Sequence, residues 1–203
     1  MHFAQRLDNV ETSAIRELFK LLGKPGIISF AGGFPDSAMF DVDGITQSSQ
    51  KALQENAGLA LQYGATEGFG PLREQLAAFM ATKGAKDVAP EQLIVTTGSQ
   101  QALDLLGKCM VSPGDKVIVE GPTFLATIQC FRLYGAEVIS APVDGNGVIV
   151  EELEKLIAEH QPKLVYLIPT FGNPSGATLS LERRKRVLEL AVKYQTLVVE
   201  DDP

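Results

Sequence analysis

LIVTTGSQQALDLLG, residues 93–107, is the stretch on which the fold reading turns. Leu93, Ile94 and Val95 form a short, largely β-branched apolar run of the kind that makes a buried strand. Thr96, Thr97, Gly98 and Ser99 interrupt it with turn chemistry. From Gln100 onward, Ala102, Leu103, Leu105 and Leu106 recur at the spacing of one packed helical face. Strand, glycine turn and helix in this order leave the first helical N–H groups unpaired above the strand's end. Such an end carries roughly half a positive charge and suits a phosphate. Ser99 stands at the expected cap position and adds a hydroxyl donor. An ordinary capped helix reads the same way, so this segment alone leaves both readings open.

The composition narrows the class. The 203 residues suffice for one sizeable domain with a small appendage, and 45% hydrophobic with 21% charged residues is ordinary for a globular chain. A net charge of −7 without a long basic block gives nucleic acid no electrostatic footing. No apolar run approaches a membrane span, and the opening residues lack the apolar core and cleavage site of a signal peptide. Two cysteines, Cys109 and Cys130, make no disulfide framework, so a reducing, cytoplasmic location is expected.

Outward from the opening stretch, the pattern predicts a helix over Thr12–Leu22, with Ser13 as cap and Ile15, Leu18, Phe19 and Leu22 on one face. A short strand follows at Ile27–Phe30, then the turn Ala31–Asp36 with its paired glycines Gly32 and Gly33. Ile45–Glu55 is expected to be helical. Leu61–Gly70 is glycine-rich and irregular, and is neither a dinucleotide fingerprint nor a P-loop. Pro71 opens a helix over Leu72–Lys83 with Leu76, Ala77, Phe79 and Met80 facing inward. After residue 107, strands at Lys116–Glu120, Glu137–Ala141, Leu164–Ile168 and Leu197–Glu200 alternate with helices at Phe124–Tyr134, Val150–His160 and Leu181–Tyr194. That alternation argues a mainly parallel sheet covered by helices on both faces. Ligands of such sheets sit beyond the carboxyl ends of the strands, which picks out Ser99, Phe124, Asn173 and Asp201.

The ordered set YGATEG (63–68), TGSQQA (97–102), EGPTF (120–124), PTFGNPSG (169–176) and VEDDP (199–203) resembles the fold-type I pyridoxal-phosphate aminotransferases. The likeness is strongest to the 2-aminoadipate and broad-specificity enzymes of class I and runs along essentially the whole chain. It implies a three-layer α/β/α fold with a mainly parallel sheet, incomplete at its carboxyl end. It also implies two parts: residues 1–45 as the N-terminal helix and arm of a small domain, and 46–203 as the first part of the cofactor-binding large domain. Pyridoxal 5′-phosphate is the implied cofactor, an electron sink whose ring nitrogen the protein must keep protonated.

The resemblance assigns roles position by position. Asp201 matches the carboxylate that pairs with the ring nitrogen, and Asn173 the asparagine that hydrogen-bonds the ring's 3′-oxygen. In isolation the first is also a plain strand-ending aspartate and the second a turn asparagine before proline. A cis bond at Asn173–Pro174 is implied. Phe124 matches the aromatic that stacks on the ring, where near relatives often carry tyrosine. Gly98, Ser99 and Gln100 match the phosphate cradle. Tyr63 matches a tyrosine that reaches the phosphate from the partner subunit, which makes the active site a property of a homodimer. Gly33 matches a loop glycine near the substrate's α-carboxylate, and Arg16 an arginine that meets the substrate side chain. Gly172 stands where close relatives commonly have glutamine.

The resemblance also implies something missing. The family's Schiff-base lysine lies tens of residues beyond the aspartate, in a serine/threonine-rich turn, and none of Lys20, Lys24, Lys51, Lys108 or Lys185 has that context. The 203 residues therefore read as the N-terminal half of an aminotransferase, inactive and poorly soluble alone. In the family, later strands flank the first one, so a strand at Leu93–Thr96 is expected to lack its neighbours here. The expected reaction of the parent enzyme moves an α-amino group from an amino acid to a 2-oxo acid such as 2-oxoglutarate. Three alternatives stay open: a β-lyase on the same cofactor motifs, the effector domain of a transcription regulator, and a metal hydrolase built on Asp201 and Asp202. The last has few supporting ligands, since His2 and His160 are isolated in the sequence.

Overall fold

The structure is a computed structural model, described here for residues 2–7 and 35–202. The expected helix Thr12–Leu22 and strand Ile27–Phe30, with Arg16 and Gly33, lie outside the described residues. The chain divides into two units, one made of residues 11–95 and the other of residues 1–10 with 96–203.

In the 11–95 unit, helix α1 spans Val42–Ala60 and departs from helical geometry at Asn56. It starts earlier and ends later than the apolar spacing predicts. The early start follows from Asp41, whose side chain accepts the Gly44 N–H at 2.9 Å and caps the first turn. Helix α2 spans Gly70–Thr82, with proline in its first turn as expected. Arg73 fixes α2 to the turn Pro90–Gln92 by donating from Nε and Nη2 to the Pro90 carbonyl at 2.9 and 2.7 Å. Of the face expected to point inward, Ala77 alone is buried. The expected strand at Leu93–Val95 does not form: no ladder partner flanks it among the described residues, and Ile94 is 63% exposed. The Val95 N–H instead donates to the Glu67 carbonyl at 2.9 Å. An apolar run becomes a strand only beside another strand.

The second unit carries the sheet. Its strands are β1 (Lys116–Gly121), β2 (Glu137–Asp144), β3 (Gly147–Val148), β4 (Leu164–Leu167) and β5 (Leu197–Glu200). They lie in the order β3-β2-β1-β4-β5, parallel throughout except for the short antiparallel return of β3 on β2. Helices α3 (Ser99–Met110), α4 (Leu125–Leu133), α5 (Val150–His160) and α6 (Leu181–Tyr194) cover it.

Alternation along β1 sends successive side chains to opposite faces. Val117 and Val119 join Leu164 and Tyr166 in a core closed by Leu103 of α3 and Cys130 and Phe131 of α4. Ile118 joins Val165 and Leu167 in a second core closed by Leu153 and Ile157 of α5 and Val187 and Leu190 of α6. Burial on both faces explains why β1 and β4 read as continuous apolar runs. Each such aliphatic side chain contributes about 1.5–3 kcal/mol. The expected three-layer α/β/α arrangement is therefore present.

Candidate active site

The candidate site is the rim formed by the carboxyl ends of β1, β4 and β5. In the register, Val119 pairs with Tyr166 and Tyr166 with Val199, so the three strands end side by side. The Asp201 N–H donates to the Leu167 carbonyl at 2.9 Å and carries the ladder one residue past β5. Its carboxylate is half-buried, and Oδ2 accepts the Tyr166 hydroxyl at 2.5 Å. Tyr166 is fully buried. Burial, and after it the hydrogen bond to Asp201, push the phenol well above its ordinary range, so it remains a donor.

Glu120, the last residue but one of β1, is also buried. Its Oε2 accepts the Ile168 N–H at 2.8 Å, which ties the end of β1 to the end of β4. Burial pushes this carboxyl up, and the Ile168 hydrogen bond opposes the shift. Phe124 follows as the extended residue that begins α4, packed against the core that holds Tyr166. The Thr123 hydroxyl, just before it in sequence, is buried without a hydrogen-bond partner among the described residues, while the Thr127 hydroxyl faces the Tyr166 phenol.

At the start of α3 the structure corrects the expected cap. Gly98 is the cap residue, at φ +94°, and Ser99 is the first helical residue. No side chain caps this helix start; the Gln101 side chain instead folds back over the turn, its Oε1 accepting the Thr97 N–H at 2.7 Å and the Thr97 hydroxyl at 3.0 Å. A side chain at Gly98 would meet open space, but its φ is one that residues other than glycine rarely adopt. Helix α3 leads into the start of β1, so its own start lies toward the carboxyl end of that strand. Leu103 then places α3 on the same face of the sheet as Phe124 and Tyr166.

Asn173 lies on the exposed loop between β4 and α6, and the Asn173–Pro174 bond is cis, as the resemblance implies. The ends of this loop are clamped. The Leu179 N–H donates to the Pro169 carbonyl at 2.8 Å. Arg184 of α6 donates to the carbonyls of Leu179 at 2.9 Å and Pro169 at 2.8 Å, and to the Thr170 hydroxyl at 3.1 Å. Gly172 is buried, and a β-carbon there would come to 2.8 Å from Ser175 Oγ, so a larger residue requires that hydroxyl to turn away.

Of the positions read from the sequence, Phe124 packs against the core that contains Tyr166 and Asp201 accepts from the Tyr166 hydroxyl, while Ser99, Gln100 and Asn173 stand exposed. Tyr63 belongs to the other unit and is 99% exposed. Tyr166, Glu120, Thr123, Thr127 and Arg184 escaped the sequence reading. The signal for Tyr166 was a phenol inside the apolar run LVYLI, which must find a partner when buried. Among the described residues no three His, Cys, Asp or Glu side chains converge as a metal site, and no helix is long and apolar enough to cross a membrane.

Residues 27–202 match the family model for aminotransferases of class I and II. The chain belongs to this family. This aminotransferase chain is 42% identical to aromatic-amino-acid aminotransferase 1 of Thermococcus litoralis, over all of the chain and 50% of that protein. It is 40% identical to the 2-aminoadipate transaminase of Thermus thermophilus, over 98% of the chain and 49% of that protein. The structure of Pyrococcus horikoshii kynurenine aminotransferase in complex with PMP superposes with a TM-score of 0.92 at 42% identity, covering 99% of this chain and 51% of that one. The aminotransferase chain thus spans about half the length of the curated relatives it matches.

The family's cofactor, pyridoxal phosphate, presents a phosphate, a flat ring and a ring nitrogen, and the rim has a group for each. At the start of α3 a β-carbon on Gly98 would meet nothing within 4 Å and no side chain caps the first turn, Phe124 offers an aromatic side chain, and Asp201 keeps Oδ1 without a hydrogen bond among the described residues. The Thr123 hydroxyl, unpartnered among the described residues, lies beside Phe124 in the chain. The residues present fit the group.

Proposed function

We propose that this chain supplies the cofactor-holding half of a pyridoxal-phosphate-dependent aminotransferase, and that the whole protein moves an α-amino group from an amino acid to a 2-oxo acid such as 2-oxoglutarate. When bound, pyridoxal phosphate supplies an electron sink for charge released at the substrate's α-carbon. The chain's own residues do the holding. Asp201 Oδ1 accepts from the ring nitrogen and keeps the proton there. The Asn173 amide donates to the ring's 3′-oxygen. Phe124 stacks on the ring and excludes water from one face. The N–H groups following Gly98, with the Ser99 hydroxyl and the Gln100 backbone, receive the phosphate at a helix start.

On the same reading, Tyr63 reaches the phosphate of the partner subunit in a cytoplasmic homodimer, and its full exposure within its own chain suits that task. Gly33 and Arg16 face the substrate's carboxylate and side chain. The anchoring lysine is placed outside these 203 residues, so the chain alone is expected to be inactive.

The observation that carries the proposal is the Asp201 carboxylate just past β5, one oxygen held by buried Tyr166 and the other without a hydrogen bond among the described residues. The test uses the full-length protein. Asp201→Ala is expected to lower kcat by at least about a hundredfold, the scale of losing a charge-stabilising contact in the reacting state, when glutamate formation from 2-oxoglutarate is assayed. A variant with unchanged turnover would overturn the assignment.

A further inference from the structure

We propose that Tyr166 is a positioning residue that sets the Asp201 carboxylate at the angle from which it meets the cofactor's ring nitrogen. The inference rests on the reading of Asp201 given above.

The two residues are held very differently. Tyr166 sits on β4, paired with β1 on one side and β5 on the other. Its ring meets Phe131 edge-on, with centroids 6.4 Å apart and planes at 75°. Ladders on both sides and a packed ring leave the hydroxyl little freedom. Asp201 is one residue past β5, the outermost strand of the described sheet, and a single backbone hydrogen bond continues the ladder to it. A carboxylate placed so is free to rotate about its own side-chain bonds unless something holds it. The Tyr166 hydroxyl does so, donating to Oδ2 at 2.5 Å and leaving Oδ1 as the free acceptor.

The hydrogen bond to a charged group is of the stronger kind and directional. The protonation state of Tyr166 is also secured: burial keeps the phenol from ionising, so it donates rather than competes as a second anion. A strand flanked on both sides thus fixes a carboxylate just past an edge strand of the described sheet. A ring nitrogen approached from the wrong angle loses charge stabilisation steeply, which is why a distant hydroxyl matters.

The test is a double-mutant cycle in the full-length protein with Tyr166→Phe, Asp201→Ala and both together. Pyridoxal phosphate binding to the apo-protein is measured by equilibrium dialysis, alongside kcat, KM and the apo-protein's unfolding temperature. Tyr166→Phe is expected to weaken pyridoxal-phosphate binding about tenfold, the scale of one hydrogen bond to a charged group. It should lower kcat while leaving KM for the amino acid within about twofold. Added to Asp201→Ala, it should change binding no further, because its effect runs through that carboxylate.

Equal binding by Tyr166→Phe and wild type overturns the inference, and so does the same loss in both backgrounds, which would mark a packing role. 3-Fluorotyrosine at position 166 keeps the hydroxyl and is expected to bind pyridoxal phosphate as wild type does. Behaviour like phenylalanine there also overturns the inference, and this arm serves if Tyr166→Phe folds poorly. If Asp201→Ala alone leaves binding and turnover unchanged, the cofactor reading itself fails and the inference falls with it.

Discussion

Glu120 and Tyr166 are both acidic groups buried at the ends of parallel strands, yet they stand in opposite positions. Tyr166 is neutral, and its hydroxyl donates a hydrogen bond to a neighbouring carboxylate. Glu120 must either hold a charge in an apolar setting or stay protonated, and one backbone N–H is the partner that favours the charge. The sign of its pH dependence follows. A carboxyl whose folded value is raised contributes no penalty well below its ordinary value of 4.5, a growing one as the pH climbs from there to the raised value, and a constant one above it. Glu120→Gln keeps an oxygen for the Ile168 N–H but carries no charge. Relative to wild type it should therefore gain unfolding temperature as the pH is taken from about 4 to about 8, with the difference smallest at the acid end. Thermal unfolding monitored by circular dichroism across that range checks it. A constant offset between the two proteins at every pH would show that the Glu120 charge costs the fold nothing.

At the scale of elements, what was legible in the sequence was what local chemistry decides. The bounds of α5 and α6 read correctly because their stops are local: Gln161 and Gln195 leave each helix in the left-handed conformation. The Ser180 side chain accepts the Arg183 N–H and starts α6. Leu93–Val95 did not read correctly because a strand is a relation between two segments, and an apolar run says nothing of whether its neighbour is there. The return strand β3 was missed for the same reason: Gly147 and Val148 look like the end of a turn until they pair with Asp144 and Val143. The site divides along this line too. Asp201, Phe124 and Asn173 were singled out as ends of strands and motifs, whereas the Tyr166–Asp201 contact joins residues 35 apart through strand register.

The α3–α4 contact shows how such a relation can be tested. Gly107 is buried in α3, and a β-carbon there would overlap the Tyr134 ring. That ring cannot simply move aside, because its hydroxyl donates to Asp104 at 2.7 Å. Gly107→Ala is therefore expected to destabilise the fold by about 1–3 kcal/mol through overpacking, despite alanine's better helix propensity. With Tyr134 truncated to alanine, the same change should become neutral or stabilising by up to about 1 kcal/mol. Urea unfolding of the four proteins gives the coupling directly.

At the scale of the molecule, the sheet and its helices expose apolar surface on the side of β5. Leu181, Leu188 and Val192 fall on one face of α6 at helical spacing, and Leu188 and Val192 are 58% and 81% exposed. In the sheet, β5 is one of the two edge strands, with no strand on its second side among the described residues. Exposed apolar faces next to an open strand edge favour association with other chains. Purified as the 203 residues alone, the chain is expected to sediment as a mixture of oligomers at micromolar concentration. Leu188→Gln with Val192→Gln should shift it toward the monomer, because surface changes of this kind leave stability within about 0.5 kcal/mol while removing the apolar face. Sedimentation velocity separates this from the alternative source, the strand edge. If the paired glutamines leave the oligomer distribution as it was, association runs through β5, and a proline at Val198 is the change that should then disperse it, since proline removes a backbone donor from the strand.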